Sequence, residues 1–232
     1  MKIVLIHGQD HQGSSYHIGR SIAEGITCEK EISEFFLPRD LEHFCTGCMR
    51  CIDDDSRCPF YMEKRRIMEQ VEAADLLIFT TPTYCMRASS PLKSFMELNF
   101  TYWMAHRPRA CMFTKKAVVV STAAGMGTGS AMKDVTLMLS HWGVPEVHTC
   151  GFSVQASGWD AVSAQKKAKI AKAVQKLATR LSADRPPKVG LKTKLLFGMM
   201  RMMQKKGWGS SEAETEYWRQ KGWLDRKRPW KM

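Results

Sequence analysis

The sequence predicts an α/β protein in which a five-stranded parallel sheet is covered by helices on both faces. Two observations predict this architecture. Short apolar runs, typical of buried parallel strands, alternate along the chain with longer segments of helical apolar spacing. Glycine and proline also interrupt the chain at several junctions between these segments. Strands that alternate with helices imply a doubly wound sheet.

Five segments are predicted as strands. The first, 2–7, contains four consecutive apolar residues, and the second, 31–37, is stopped by a proline. The third and fourth, 75–80 and 116–121, are continuous apolar runs of the kind found in central parallel strands. The fifth strand is expected at 146–152.

The intervening segments are predicted as helices. The first, 14–25, follows a turn of glycine and serine, and the second, 61–73, has apolar residues at helical spacing. Two more are expected at 90–100 and at 129–142, where a glycine ends the latter. The last, 160–182, is long and amphipathic, with lysines opposite its apolar stripe.

Length and composition indicate one α/β domain with an appended segment. Of the 232 residues, 44% are hydrophobic and 25% are charged, which excludes a disordered or fibrous chain. We expect a core domain over 1–183 and a basic, Met- and Trp-rich extension over 184–232. No signal peptide or apolar run of ~18 residues is recognised, so a cytoplasmic protein without a transmembrane segment is expected.

The positive charge is concentrated near the C-terminus. The net charge is +12, yet residues 161–232 contain 19 Lys and Arg against 5 Asp and Glu. Such a tail is compatible with a solvated helix face, and also with attraction to nucleic acid, an acidic partner or an anionic membrane surface. Its methionines, leucines and tryptophans predict an amphipathic helix on a membrane, a lid, or an arm on a partner subunit. No nucleic-acid-binding module is recognised, so no nucleic acid is expected as a partner.

Three loops lie where ligands bind in parallel sheets, at the carboxyl ends of the strands. Loop 8–16 combines glycines, serines and a helix start, which favours a phosphate site, although a plain connection with Ser14 as N-cap is also compatible. Loop 81–89 offers an aromatic residue and backbone amides. Loop 121–129 contains three glycines that allow close approach of a flat ligand. Together they indicate a nucleotide-like ligand.

A family resemblance rests on these loops and on their order. Gly13-Ser14-Ser15, the segment Cys45 to Cys51, the run Ala74 to Tyr84 and Leu92 to Phe95 resemble the NADPH-dependent FMN reductase family, over roughly residues 1–155. The resemblance implies a flavodoxin-like, doubly wound five-stranded sheet with a C-terminal helical extension, FMN as cofactor and NAD(P)H as co-substrate. A homodimer is expected as well, although Glu97 stands near the position where the family often has an aspartate, which leaves open the oligomer contacts of that region.

The resemblance assigns site residues by position, and it assigns no catalytic side chain because the chemistry belongs to the flavin. On the phosphate side it places Gln9, His11, Gly13, Ser14, Ser15 and Tyr16. On the ring side it places Pro82, Thr83, Tyr84, Cys85 and Met86, and on the opposite wall Ser121, Thr122, Ala123, Ala124, Gly125 and Gly127. The chain has Ser14-Ser15 where the family commonly has Asn-Thr, and both pairs can donate hydrogen bonds.

Four cysteines follow the spacing C-x2-C-x2-C-x6-C, at Cys45, Cys48, Cys51 and Cys58. Four thiolates on one short loop can bind zinc or an iron-sulfur cluster. The spacing resembles that of iron-sulfur flavoproteins, which implies a 4Fe-4S cluster coupled to the flavin. Free thiols that line the flavin site are the alternative.

The function expected from the sequence is an FMN-dependent NAD(P)H oxidoreductase. It would pass electrons to a quinone, a nitro or azo compound, or a protein acceptor. The alternative is an FMN electron-transfer protein, with or without an iron-sulfur cluster, that does not turn over NAD(P)H. In a homodimer, the tail is expected to lie across the subunit boundary or over the flavin mouth.

Overall fold

The computed structural model describes residues 1–183, 185–209 and 211–231. The strands in these ranges are β1 (Lys2–His7), β2 (Glu31–Phe36), β3 (Leu76–Tyr84), β4 (Arg87–Ala88), β5 (Lys116–Ala123) and β6 (Glu146–Ser153). The helices are α1 (Ser14–Glu24), α2 (Tyr61–Ala73), α3 (Ser90–Leu98), α4 (Thr128–Trp142), α5 (Ala164–Ser182), α6 (Leu191–Lys205) and α7 (Glu212–Gln220).

The sheet confirms the predicted fold class. Five strands pair in the order β2-β1-β3-β5-β6, all of them parallel, and the short β4 pairs antiparallel with the end of β3. From β1 the chain moves outward to β2 and then returns to the other side of β1 to form β3. The carboxyl ends of β1 and β3 therefore flank the topological switch point, where parallel α/β proteins bind their ligands.

Helices cover both faces of the sheet. On one face, α1 and α5 bury Ile22 and Ile170 against the central strands. On the other face, α2, α3 and α4 bury residues such as Met68, Phe95 and Trp142. The helix α1 lies very close to β3, because a Cβ atom at Gly19 would stand 2.4 Å from Thr80 Cγ2.

Two strands are longer than the apolar runs indicate. β3 continues to Tyr84 and β5 to Ala123, because their parallel pairing extends as far as Pro82 opposite Thr122. The segments 81–89 and 121–129, both predicted as loops, therefore begin within β3 and β5. The predicted start of the last core helix at 160 is wrong: α5 begins at Ala164, since the Ser163 side chain accepts a hydrogen bond from the Lys166 amide and caps it.

The C-terminal extension is helical, as predicted, and it docks on its own chain. Phe197, Trp218 and Trp223 form a buried cluster with Phe113 and Met104, which lie in the connection between α3 and β5. This connection joins the amino end of β5, where the Lys115 side chain donates to the carbonyl oxygen of Ala74 just before β3. The extension therefore lies at the amino-terminal edge of the sheet.

That position bears on the expectation about the tail. The flavin mouth is predicted at the carboxyl ends of the strands, so within one chain the extension does not cover it. The reason is that the connection between α3 and β5 offers an apolar surface at the opposite edge. Its place relative to a partner subunit in a homodimer stays a prediction. The division of the chain at 183/184 stays a prediction. Across the described ranges, no helix is both long and apolar enough to traverse a bilayer.

Candidate functional site

The loop after β1 delivers free backbone amides to the switch point. Gly13, in an extended conformation, is the N-cap of α1, so Ser14 is the first helical residue and not the cap. The first intrahelical bond runs from the His17 amide to the Gly13 carbonyl, at 3.1 Å. The amides of Ser14, Ser15 and Tyr16 therefore lack intrahelical acceptors, and no acidic side chain lies in this turn. Such a helix start favours an anion.

The hydroxyl of Ser15 is a further hydrogen-bonding group at this helix start. Its side chain is 1% exposed, and its Oγ has no hydrogen-bond partner among the residues that the structure describes. A buried hydroxyl without a partner carries a free-energy cost of roughly 1–3 kcal/mol. A bound acceptor in front of α1 would remove that cost.

Gln9 connects the first loop to the second. Its side chain is buried, accepts a hydrogen bond from the Tyr84 hydroxyl at 3.3 Å and donates to the His11 carbonyl at 3.4 Å. Space beside it is tight, since a Cβ atom at Gly13 would stand 3.0 Å from Gln9 Nε2 and from His11 Nε2. The structure thus brings together Gln9, His11 and Gly13 from the first predicted group.

His7, the last residue of β1, is buried directly before this loop. Its Nδ1 lies 2.8 Å from Thr80 Oγ1 and its Nε2 lies 3.0 Å from Glu34 Oε1. Burial lowers the pKa of His7, while the neighbouring Glu34 opposes that shift. Its ring packs 5.0 Å from that of Tyr16 and 4.6 Å from that of Phe36. His7 therefore supports the loop from within the core.

The second loop is a tight hairpin with an unusual backbone. Tyr84 pairs with Arg87, and the two residues between them, Cys85 and Met86, have φ of 49° and 63°. Left-handed backbone at two consecutive non-glycine residues matches a type I′ hairpin turn and costs roughly 1–2 kcal/mol per residue. Tyr84 and Met86 are about half exposed, so the hairpin presents them to solvent at the carboxyl edge.

The third loop meets the second at two points. Ser121, Thr122 and Ala123 form the buried end of β5, and Ser121 Oγ lies 3.0 Å from Thr83 Oγ1. The exposed residues Ala124 and Gly125 follow. Gly127, with φ of 98°, then approaches the hairpin so closely that a Cβ atom would stand 2.8 Å from Met86 Sδ and Thr83 Cγ2.

Two residues that the sequence did not single out hold these loops in place. Ser89 donates its hydroxyl to the Gly8 carbonyl, and its amide donates to Thr81 Oγ1 at 3.0 Å. Asp134 on α4 accepts from the amide of Ala88 and pairs with Arg87 at 3.0 Å. Ser89 could have been found from the sequence, because it is a small hydroxyl residue between the third predicted strand and a predicted helix. Asp134 gave no signal, because its partner lies 47 residues away.

The four clustered cysteines line one cavity of about 330 Å³. Nevertheless, in the described parts of the chain no three Cys, His, Asp or Glu side chains are arranged to hold a metal ion. Their environments also differ. A hydrogen bond from the Arg50 amide lowers the pKa of the exposed Cys48 thiol, whereas burial raises the pKa of Cys51.

The cysteine cavity lies beside the last turn of α3, where Leu98 and Glu97 line it. Buried cations fix its walls. Lys64, 1% exposed, donates to Asp55 at 2.8 Å and to the Leu98 carbonyl at 3.1 Å, and Arg107 donates to the Cys51 carbonyl. The cavity thus belongs to the face covered by α2, α3 and α4, whereas the first loop leads into α1 on the other face.

The family model for NADPH-dependent FMN reductases matches residues 1–158. No curated protein matches the chain by sequence.

Solved structures share the fold. An FMN-dependent NADH-azoreductase from Bacillus anthracis superposes with a TM-score of 0.60 at 14% identity, over 79% of this chain and 100% of that one. An NAD(P)H:quinone oxidoreductase from Methanothermobacter marburgensis superposes with 0.62 at 18% identity, over 80% and 98%. At such identities the likeness establishes the fold alone.

The family assignment rests on the family model, which covers well over half of the 232 residues. It agrees with the sheet order and with the position of the three loops at the switch point. The chain therefore belongs to the NADPH-dependent FMN reductase family and is an oxidoreductase enzyme.

Proposed function

We propose that this enzyme binds FMN at the carboxyl edge of its sheet and passes electrons from NAD(P)H to a quinone, a nitro or azo compound, or a protein. Family membership supports the cofactor and the nucleotide. Structural neighbours described as an azoreductase and a quinone oxidoreductase support the class of acceptor. We further propose that it acts as a homodimer in the cytoplasm.

The observation that carries the proposal is the start of α1. An FMN phosphate needs several hydrogen-bond donors and no nearby carboxylate in the same turn. The helix start offers the amides of Ser14, Ser15 and Tyr16, and it adds the buried Ser15 hydroxyl that has no other partner in the described structure. The residues present therefore fit the phosphate group.

The other two loops fit the walls of a ring site. The hairpin at Tyr84 to Met86 and the segment Ser121 to Gly127 meet through Thr83, so they form one continuous rim next to the first loop. FMN, when bound, supplies the hydride and electron chemistry. The side chains of this chain then bind the phosphate and orient the ring between two walls. No side chain is assigned a role as acid or base.

The experiment is a steady-state assay of FMN-loaded protein under anaerobic conditions. NADH and NADPH are each supplied together with a quinone or with an azo dye, and oxidation of the nucleotide is followed. Acceptor-dependent oxidation of at least one nucleotide is expected. A protein that retains FMN yet oxidises neither nucleotide would contradict the proposal, and would favour an electron-transfer protein. Sedimentation velocity tests the homodimer.

One observation favours this electron-transfer function as a second candidate. All four clustered thiols line one cavity, which is the arrangement expected of a relay on a short loop. Among the described residues the four thiols do not form a ligand set, so the residues present do not fit a 4Fe-4S cluster. Iron and sulfide analysis of protein purified without oxygen tests whether the four thiols hold a cluster. The double variant Cys48→Ser, Cys51→Ser is the control.

A further inference from the structure

The helix α6 is buried on one side only. Phe197, Met200 and Gln204 are 1%, 7% and 1% exposed, and they form the face that docks at the amino edge of the sheet. At ~100° per residue these three positions point in nearly the same direction. The opposite side of the helix therefore faces away from the protein.

That outward side is apolar. Leu191, Leu195, Met199 and Met202 are 72%, 64%, 48% and 49% exposed. Their spacing of four, four and three residues places them in one line along the helix, directly opposite the buried face. We call this line the α6 stripe. Trp208, 61% exposed, follows the helix and extends the apolar surface.

Cations flank the α6 stripe on both sides. Helical geometry places Lys192 on one side of it and Lys194 and Lys205 on the other. All three are exposed, as is Lys206, whose ammonium lies 4.6 Å from the centroid of the Trp208 ring. The segment 185–209 contains seven Lys and Arg residues and no Asp or Glu. The surface is therefore an apolar ridge with a positive border and no negative charge in its own segment.

We propose that the α6 stripe docks in the headgroup region of an anionic lipid bilayer. An apolar ridge bordered by lysines and followed by a tryptophan has the chemistry of a helix that lies in a membrane interface. The lysines would meet the phosphates of anionic lipids while the leucines and methionines enter the acyl boundary. A second copy fits this surface poorly, since two such segments would place seven cations against seven.

The position of α6 keeps this surface apart from the candidate flavin site. α6 is fixed at the amino edge, for example through Gln204, which donates to the Ala105 carbonyl at 2.9 Å. The three loops lie at the carboxyl edge of the same sheet. The two surfaces therefore share no residue, and the membrane proposal does not rest on the proposed function.

The experiment is co-sedimentation of the full chain with vesicles. One set contains phosphatidylcholine alone, and the other contains equal parts of phosphatidylcholine and phosphatidylglycerol. Binding is expected only to the second set and should weaken with added salt. The variant Leu195→Gln, Met199→Gln should lower partitioning about tenfold or more. Neutralising Lys192, Lys194, Lys205 and Lys206 to Gln should lower it roughly 100-fold or more.

A matched control removes charge elsewhere. Lys169, Lys172 and Lys176 are exposed on α5, and their change to Gln should leave vesicle binding within about threefold of the original. Far-ultraviolet circular dichroism checks that each variant is folded.

Three results would overturn the proposal. The first is vesicle binding that the α6 stripe variant leaves unchanged. The second is a dimer that becomes a monomer in that variant, which would assign the surface to a second copy. The third is stripe-dependent binding to polyglutamate without any binding to vesicles, which would assign it to an acidic protein.

Discussion

Removing the hydroxyl of Ser15 should change FMN affinity and apoprotein stability in opposite directions. In the apoprotein the Ser15 Oγ is buried without a described partner, so Ser15→Ala removes a desolvated polar group. We expect the apoprotein to become more stable by about 1 kcal/mol, or at least not less stable. A hydrogen bond to a charged phosphate contributes about 1.5–3 kcal/mol, so FMN binding should weaken about 10- to 150-fold.

Quenching of FMN fluorescence measures the affinity, and urea unfolding of the apoprotein measures the stability. Ser21→Ala, on an exposed position of the same helix, is the matched control and should change neither quantity appreciably. Ser15→Ala with unchanged FMN affinity would refute the placement of the phosphate at α1. A clear loss of apoprotein stability would instead show that the hydroxyl has a structural partner.

Three further predictions concern single residues. Alkylation of Cys48 should proceed at lower pH than alkylation of thiols in the unfolded chain. The reason is that its pKa is lowered from the ordinary thiol pKa of 9.0, so the reactive thiolate forms at lower pH. Identical pH profiles of alkylation, followed by mass spectrometry, would contradict this. Gly127→Ala should cost at least about 1–2 kcal/mol of unfolding free energy, because φ is 98° and the space is filled, whereas Gly125→Ala, with open space, should cost less than about 0.5 kcal/mol. Trp218→Ala should cost about 3–5 kcal/mol because the indole is fully buried, while Trp208→Ala, 61% exposed, should be nearly neutral; equal urea midpoints would refute the docking of the extension.

The sheet could be predicted from the sequence because short runs of apolar residues mark its central strands. The strand at 2–7 agrees with the prediction at both ends, and so does the helix at 61–73, because each is a continuous local pattern of apolar residues. The ends of β3 and β5 could not be placed. Their last residues are held by pairing between strands that lie far apart in sequence, as in Pro82 opposite Thr122.

The candidate site was predictable only in its location. Because parallel strands end at one edge, the sequence alone placed the three loops together, and the structure agrees. The contacts between them were not predictable. The hydrogen bond from Tyr84 to Gln9 spans 75 residues, and the approach of Gly127 to Met86 depends on a left-handed turn at two residues that give no turn signal.

The C-terminal extension docks at the amino edge of the sheet, whereas the three ligand loops lie at the carboxyl edge. The length of the strands therefore separates these two groups of residues. The eight residues of β5 span about 26 Å at ~3.3 Å per residue. Free-energy changes from substitutions that far apart, without shared contacts, usually add. Changes that alter acceptor preference at the carboxyl edge can therefore be combined with stabilising changes around Trp218 and Trp223, and the two sets can be optimised separately before they are joined in one chain.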